Sequence, residues 1–259
     1  MSGSTAVRDV SIVIPAFNEE SRLPEALSQL DAFLADGAPD VEVIVVDDGS
    51  FDGTLEIAQR WCAGGDARTA VTMPHGGKAR AVKVGVGHAK RGRVLFMDAD
   101  LAVPLEEIAK LLEAVDSGAQ VAIGSRELPG SSRYGEGALR HFRGRAFNWL
   151  VEAAVLAGIR DTQCGFKAFT REAAGEVFDL AKLHSGRGRP RGSSVTAFDV
   201  ELLFIARRLG YTIAEVPVRW RHVPGSKVDP VREPLRMTLD VLSIRLNDWL
   251  GRYPRKRSK

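Results

Sequence analysis

The chain has 259 residues, 44% of them hydrophobic and 27% charged, with a formal net charge of +3. That composition suits one large α/β domain with an appendage, and the small net charge argues against a general nucleic-acid binder. Two cysteines, Cys62 and Cys164, give no disulfide framework, and with no signal peptide at the N-terminus the expected compartment is a reducing cytoplasm.

The first half alternates two periodicities. "VSIVIPAFNEE" is a β-branched run that stops at Pro15 and reads as a buried strand and loop. "SRLPEALSQLDAFLA" places Leu23, Leu27, Leu30 and Leu34 on one helical stripe. "VEVIVVDDGSFDG" is a second strand closed by a turn, and "TLEIAQRWCA" a second helix. "ARTAVTM" and "GGKARAVKVGVGHAKR" repeat the pair, and "RVLFMDAD" is a fourth strand. "PLEEIAKLLEAVDSG" is a helix with Pro104 at its start and Gly118 at its end, and "QVAIGSR" a fifth strand. Strands and helices at these lengths predict a mostly parallel sheet flanked by helices, with the ligand beyond the carboxyl ends of the strands.

The second half is less regular. "SSRYGEGALRHFRGRAFNWLVEAAVLAG" reads as a basic loop and a long helix, whose apolar run is interrupted by Asn148 and Glu152 and is too short to span a bilayer. "DTQCGFKAFTREAA" is a short extended segment entering a helix, "HSGRGRPRGSS" a basic loop, "FDVELLFIARRLG" a helix and "YTIAEVPVRW" a strand. A last helix over 233–250 carries Leu235, Leu239, Leu242, Leu246 and Trp249 on one face and is followed by the basic "RYPRKRSK". These split the chain into 1–230, the α/β domain, and 231–259, an amphipathic helix with a basic tail. The helix face either lies on a membrane or packs on the core. The tail is either solvated or drawn to an anionic surface.

Four predicted strands end in polar clusters: Asn18-Glu19-Glu20, Asp47-Asp48, Asp98/Asp100 and Ser125-Arg126. Asp-x-Asp at a strand end suits a hard divalent cation, Mg2+ or Mn2+, which prefers oxygen ligands and binds through one or two carboxylates plus phosphate. The competing reading is a helix N-cap before Pro104. A carboxylate of Asp47-Asp48 accepts hydrogen bonds from a base or ribose, or only closes a turn. Lys78 in "HGGKARA" is a mobile cation for phosphate, although the Walker A spacing is absent.

Taken in order, "SIVIPAFNEE", "VIVVDDGSFDGT", "HGGKARAV" and "FMDADLAVP" resemble glycosyltransferase family 2, with its Rossmann-like GT-A fold. "GSR", "DTQCGFKAF", "FDVELL", "EVPVRW" and "PGSK" are similar to its dolichyl-phosphate glucosyltransferase and polyprenyl-phosphate branch. The resemblance runs from Val10 to Lys227. It implies base and ribose contacts at Pro15, Phe17, Glu19, Val46 and Asp48, and a metal and diphosphate segment at Asp98, Ala99 and Asp100. It also implies an acceptor-side arginine at Arg126, a second at Arg140 or Arg143, and a basic pair closing over the donor at Arg221 and Lys227. The implied reaction moves a hexose from a nucleotide sugar to a polyprenyl phosphate with inversion, at the cytoplasmic face of a membrane and with no nucleic-acid partner. As the base, Asp161, Asp199 and Glu201 are candidates, with Asp161 or Asp199 instead capping a turn or helix. Ala102 stands where mannose synthases of the family tend to carry Gln, which favours a UDP-hexose over GDP-mannose and leaves the metal without a side-chain amide ligand. Two rival readings are a soluble acceptor and a nucleotide-sugar-binding protein without turnover. The sugar, the acceptor's length and the oligomeric state are not set by any motif.

Overall fold

The computed structural model describes residues 7–35, 40–135, 151, 155–182, 197–223 and 232–254. Arg140, Arg143, Lys227, the basic loop over 184–194 and most of the helix expected after residue 144 lie outside them. The strands are β1 (Val10–Ala16), β2 (Val41–Asp47), β3 (Arg68–Thr72), β4 (Arg93–Phe96), β5 (Val121–Ser125), β6 (Ser132–Tyr134), β7 (Lys167–Thr170), β8 (Ile213–Pro217) and β9 (Arg219–Arg221). The helices are α1 (Leu23–Ala35), α2 (Thr54–Cys62), α3 (Lys78–His88), α4 (Ile108–Asp116), α5 (Arg171–Leu180), α6 (Phe198–Arg208) and α7 (Arg232–Trp249).

Seven strands form one sheet in the order β3-β2-β1-β4-β7-β5-β8, and β6 pairs with β9 in a second. The main sheet is parallel except for β7, which runs antiparallel to both β4 and β5. The carboxyl ends of the other six strands therefore share one edge, and β7 enters the sheet from that same edge. Two apolar layers cover the sheet. One contains Val13, Val46, Phe96 and Phe169 with α3, α5 and α6; the other contains Ile12, Val45, Leu95 and Phe166 with α1 and α4. The β-branched runs are buried on both faces, as a covered parallel sheet requires.

Two local features position the edge. Pro15 does not end β1 as its residue type suggests; it pairs with Val46 inside the strand. Val13 turns its carbonyl towards β4, where it accepts from Met97 N–H at 3.1 Å. Pro15, two residues further, faces the same side past the last β4 residue, so its missing N–H breaks no ladder bond. Gly85 in mid-helix lets α3 lie close to the sheet, because a Cβ there would stand 2.3 Å from Val13 Cγ1.

The long strand expected over 211–220 is split. β8 pairs with β5, Val218 bridges from the end of β5 to the start of β6, and β9 pairs with β6. The last helix runs over Arg232–Trp249, but its core-facing residues are Met237, Val241 and Ile244. Leu239, Leu242, Leu246 and Trp249 are exposed, so among the described side chains this Leu/Trp face does not pack on the protein's own core; the Leu235 side chain lies outside them. Among the described residues, no helix is long and apolar enough to cross a membrane.

Candidate active site

The chain leaves β4 at Phe96 and makes a tight turn through Asp98, Ala99 and Asp100. Leu101 N–H donates to the Asp98 carbonyl at 3.2 Å and Ala102 N–H to Asp100 Oδ1 at 3.1 Å. Leu101 is held at φ 47°, a left-handed conformation that a branched side chain rarely adopts. Neither aspartate caps α4. That helix begins after a short 3-10 turn, Leu105–Glu107, which follows Pro104 and has no side-chain cap. The turn instead leaves the Asp98 carboxylate about two-fifths exposed, 41%. Ala99 is buried with its methyl in the core.

Lys78, the first residue of α3, makes an ion pair with Asp98, and its ammonium lies 5.8 Å from the centre of the Phe198 ring. Burial works to lower the Lys78 pKa, but Asp98, Asp199 and Asp100 outweigh it and raise it, so the cation is permanent. Asp100 has the opposite problem. Burial and the neighbouring Asp98 charge raise its pKa, against the Ala102 N–H, Arg22 and Lys78. Two carboxylates that resist joint ionisation are a donor set that a divalent cation relieves. Among the described residues no cluster of three or more His, Cys, Asp or Glu forms a complete metal site. The pair thus suits Mg2+ or Mn2+ completed by phosphate and water oxygens.

The antiparallel β7 brings a segment into this site that sequence order does not suggest. Gly165, just before it, sits against the Asp98–Lys78 pair. A Cβ there would lie 2.3 Å from Asp98 Oδ2 and 2.9 Å from Lys78 Nζ. Gly165→Ala is expected to push the carboxylate aside and cut turnover by on the order of a hundredfold, because sub-ångström placement controls such sites. Thermal unfolding should barely move. A variant with unchanged kcat/KM would show that the pair's position is immaterial. One step along, Lys167 is fully buried, with Nζ 2.5 Å from both Asp199 Oδ1 and the Cys164 carbonyl. Asp199 therefore neutralises a buried ammonium and is not an open base. Burial pushes the Cys164 thiol up to about 11, so it is no thiolate nucleophile.

Arg126 follows β5 and is clamped by Asp161, which is wholly buried. Nε donates to Oδ2 at 2.7 Å, Nη2 to Oδ1 at 2.9 Å and the Arg126 backbone N–H to Oδ2 at 2.9 Å. Burial alone would raise the Asp161 pKa, but the Arg126 charge and hydrogen bonds bring it down to about 2. Its two oxygens are engaged, and what it does is orient the guanidinium, which also faces the Trp220 ring at 5.6 Å. Glu215 holds the other side of that turn, accepting from Arg160 and Asp161 N–H at 2.9 and 3.0 Å. Glu201 lies away from this group, under Tyr253, whose hydroxyl donates to it at 2.6 Å.

A small open cleft lies beside Asp98, lined also by Leu101, Ala102, Gly165 and Trp220, the ring that Arg126 faces. Its far wall is tied down by Arg221 N–H, which donates to the Ala102 carbonyl at 2.8 Å and so brings the end of β9 close to the aspartate turn. The Arg221 side chain is exposed at this rim.

A second group lies at the ends of β1 and β2. Asp48 Oδ1 accepts from Gly76 N–H at 2.7 Å, and its Oδ2 accepts from Gly77 N–H at 2.8 Å and lies 2.9 Å from His75 Nδ1. The His75 ring stacks on Phe17 with centroids 4.1 Å apart, and Phe51 stands edge-on to Phe17, 87% exposed. Glu19 forms a two-pronged pair with Arg22, both bonds 2.7 Å. Pro15 is half-buried, whereas Val46 is fully buried against α3 and brings no side chain to this face. His75 and Gly165 both stand in segments singled out from the sequence, yet nothing local assigns them a role. Only the folding together of distant loops does.

A family model for Glycosyl transferase family 2 matches residues 11–178. The dolichyl-phosphate beta-glucosyltransferase of Mus musculus is 39% identical over 97% of this chain and 79% of its own length. Two solved structures share the fold. Mannosyl-3-phosphoglycerate synthase from Rubrobacter xylanophilus has a TM-score of 0.63 at 17% identity, covering 95% of this chain and 76% of its own. Glucosyl-3-phosphoglycerate synthase from Mycobacterium tuberculosis, in complex with Mn2+, UDP-glucose and phosphoglyceric acid, has a TM-score of 0.61 at 24% identity, covering 97% and 82%. A fold with the aspartate pair at its sheet edge, a family model spanning most of the sheet and a relative alike along nearly the whole chain agree: the chain belongs to glycosyl transferase family 2.

Proposed function

We propose that the protein transfers glucose from UDP-glucose to a dolichyl or other polyprenyl phosphate at a membrane surface, by one inverting displacement that uses Mg2+ or Mn2+. The observation that carries this reading is the Asp98/Asp100 turn with Lys78 paired to Asp98 beside a cleft whose Trp220 wall is faced by the clamped Arg126, in a chain so similar to a dolichyl-phosphate beta-glucosyltransferase. Asp98 and Asp100 hold the cation, which when bound neutralises the diphosphate as a leaving group. Lys78 supplies a further positive charge to the same phosphates, and Arg221 and Lys227 belong to the segment that closes over them. Pro15, Phe17, Glu19 and Asp48, with His75 packed beside them, receive the uridine. Arg126 takes the acceptor phosphate by its planar fork, and Asp161 fixes that fork's direction. Arg140 is assigned to the same acceptor phosphate.

The acceptor oxygen is already ionised, so its bond to the anomeric carbon forms as the carbon–diphosphate bond breaks, with no proton to remove. Positioning and charge stabilisation then supply most of the rate. That chemistry suits a site in which Asp161 is committed to Arg126. Purified protein is expected to release UDP from UDP-glucose only when divalent metal and a polyprenyl phosphate are both present. No turnover across a panel of UDP- and GDP-sugars would overturn the proposal. The fold likeness to two phosphoglycerate glycosyltransferases favours a second reading, a soluble phosphorylated acceptor. Transfer to 3-phosphoglycerate without any lipid would decide for it.

A further inference from the structure

The last helix has two apolar faces. At about 100° per residue, Met237, Val241 and Ile244 make one stripe, and Leu239, Leu242, Leu246, Trp249 and Leu250 make another on the opposite side. The first stripe is buried and the second is open, with Leu residues 55–58% exposed and Trp249 at 92%. An outward stripe of this kind is not explained by the helix's own packing.

The inward side is anchored by polar contacts along α6 as well as by burial. Asp240 Oδ2 accepts from Ala197 N–H at 3.1 Å, Asp248 pairs with Arg208, and Tyr253 donates to Glu201 at 2.6 Å. The acidic side chains Asp240 and Asp248 are thereby drawn to the inward side. The exposed Arg236 and Arg245 flank the open stripe, one on each edge, and the exposed Arg252 follows the helix. The sequence continues into "RKRSK". A second copy of this helix laid face to face would set these arginine edges against each other. Anionic lipid headgroups above an apolar layer match both the stripe and its rim.

We propose that α7 lies flat on an anionic bilayer surface, with Leu239, Leu242, Leu246, Trp249 and Leu250 entering the headgroup boundary and Arg236, Arg245 and Arg252 on the phosphates. This deepens the reading of a lipid-linked acceptor and rests on it for its purpose. The same helix is bound to α6, whose first residues, Phe198 and Asp199, flank Lys78, so the docked helix would hold the cleft at a fixed height above the lipid.

The test is sedimentation of the full chain with phosphatidylcholine vesicles, with and without phosphatidylglycerol, for wild type, Leu242→Ser/Leu246→Ser and Arg236→Gln/Arg245→Gln. Wild type should pellet with the phosphatidylglycerol vesicles and be released by salt. The leucine variant should partition roughly tenfold less or worse, and the arginine variant should lose the preference for anionic lipid. UDP-glucose with Mn2+ should raise the melting temperature of all three proteins alike, which separates a failure of docking from a failure of the donor site. Equal pelleting of the leucine variant and wild type would overturn the proposal. So would a wild-type dimer in solution that the leucine substitutions split into monomers.

Discussion

Asp100→Asn should abolish sugar transfer while leaving the protein as stable as before, or slightly more so. The Asp100 pKa is raised in the fold because burial and Asp98 disfavour its charge, so removing that charge relieves the folded state. The amide oxygen can still accept from Ala102 N–H, now 3.1 Å from Oδ1, so the turn survives. What is lost, on the proposed metal site, is one of its two anionic oxygen donors. Turnover should fall by about a thousandfold, as when a preorganised electrostatic contact is deleted. Donor binding should lose its dependence on Mn2+, which titration of UDP-glucose with and without chelator will show. Near-normal activity would mean that the aspartate serves the turn and not a metal.

Asp161→Asn is the second large effect, and it falls on stability and on catalysis together. The wild-type carboxylate is 0% exposed and binds Arg126 through three hydrogen bonds. Neutralising one partner of such a buried pair costs about 3 kcal/mol or more. Arg126 would also lose its fixed direction, so kcat/KM for the acceptor should drop about a hundredfold while donor binding changes little. The acid limb of the stability profile gives an independent signature. With a folded pKa of about 2 against an ordinary 3.8, Asp161 contributes its full stabilisation above pH 3.8. That contribution is lost as the pH falls through about 2, and is on the order of 2 kcal/mol. Urea melts of wild type should therefore weaken across that window by more than those of Asp161→Asn. Parallel acid limbs for the two proteins would refute the clamp.

The alternation of β-branched runs with helical stripes was enough to read α/β architecture, because each periodicity is local to its segment. The first five strands and the edge at which they end followed from it. Asp98 and Asp100 stood out for a related reason, since charge at the end of an apolar run costs energy unless it has a use, and Lys78 stood out as a cation on a glycine-rich loop. The reversed β7 could not be read in the same way. Four residues of extended chain carry no mark of direction, and their pairing depends on two strands distant in sequence. With that reversal hidden, Gly165 had no visible neighbour, and Asp161 stood as a free carboxylate or a cap when in the fold it is spent on Arg126.

The C-terminal helix shows the same division. Sequence periodicity finds Leu239, Leu242, Leu246 and Trp249 on one face, but a second, shorter stripe is the one that the protein buries. Polar anchors on α6 select it, and these come together only through tertiary contact. By itself, then, the sequence determined the sheet, its edge and the carboxylates placed there, since those depend on spacing along a single segment. The tertiary structure alone decided which charges neutralise one another and which face of the last helix stays open, since burial and ion pairing are set by partners that the chain brings from far away.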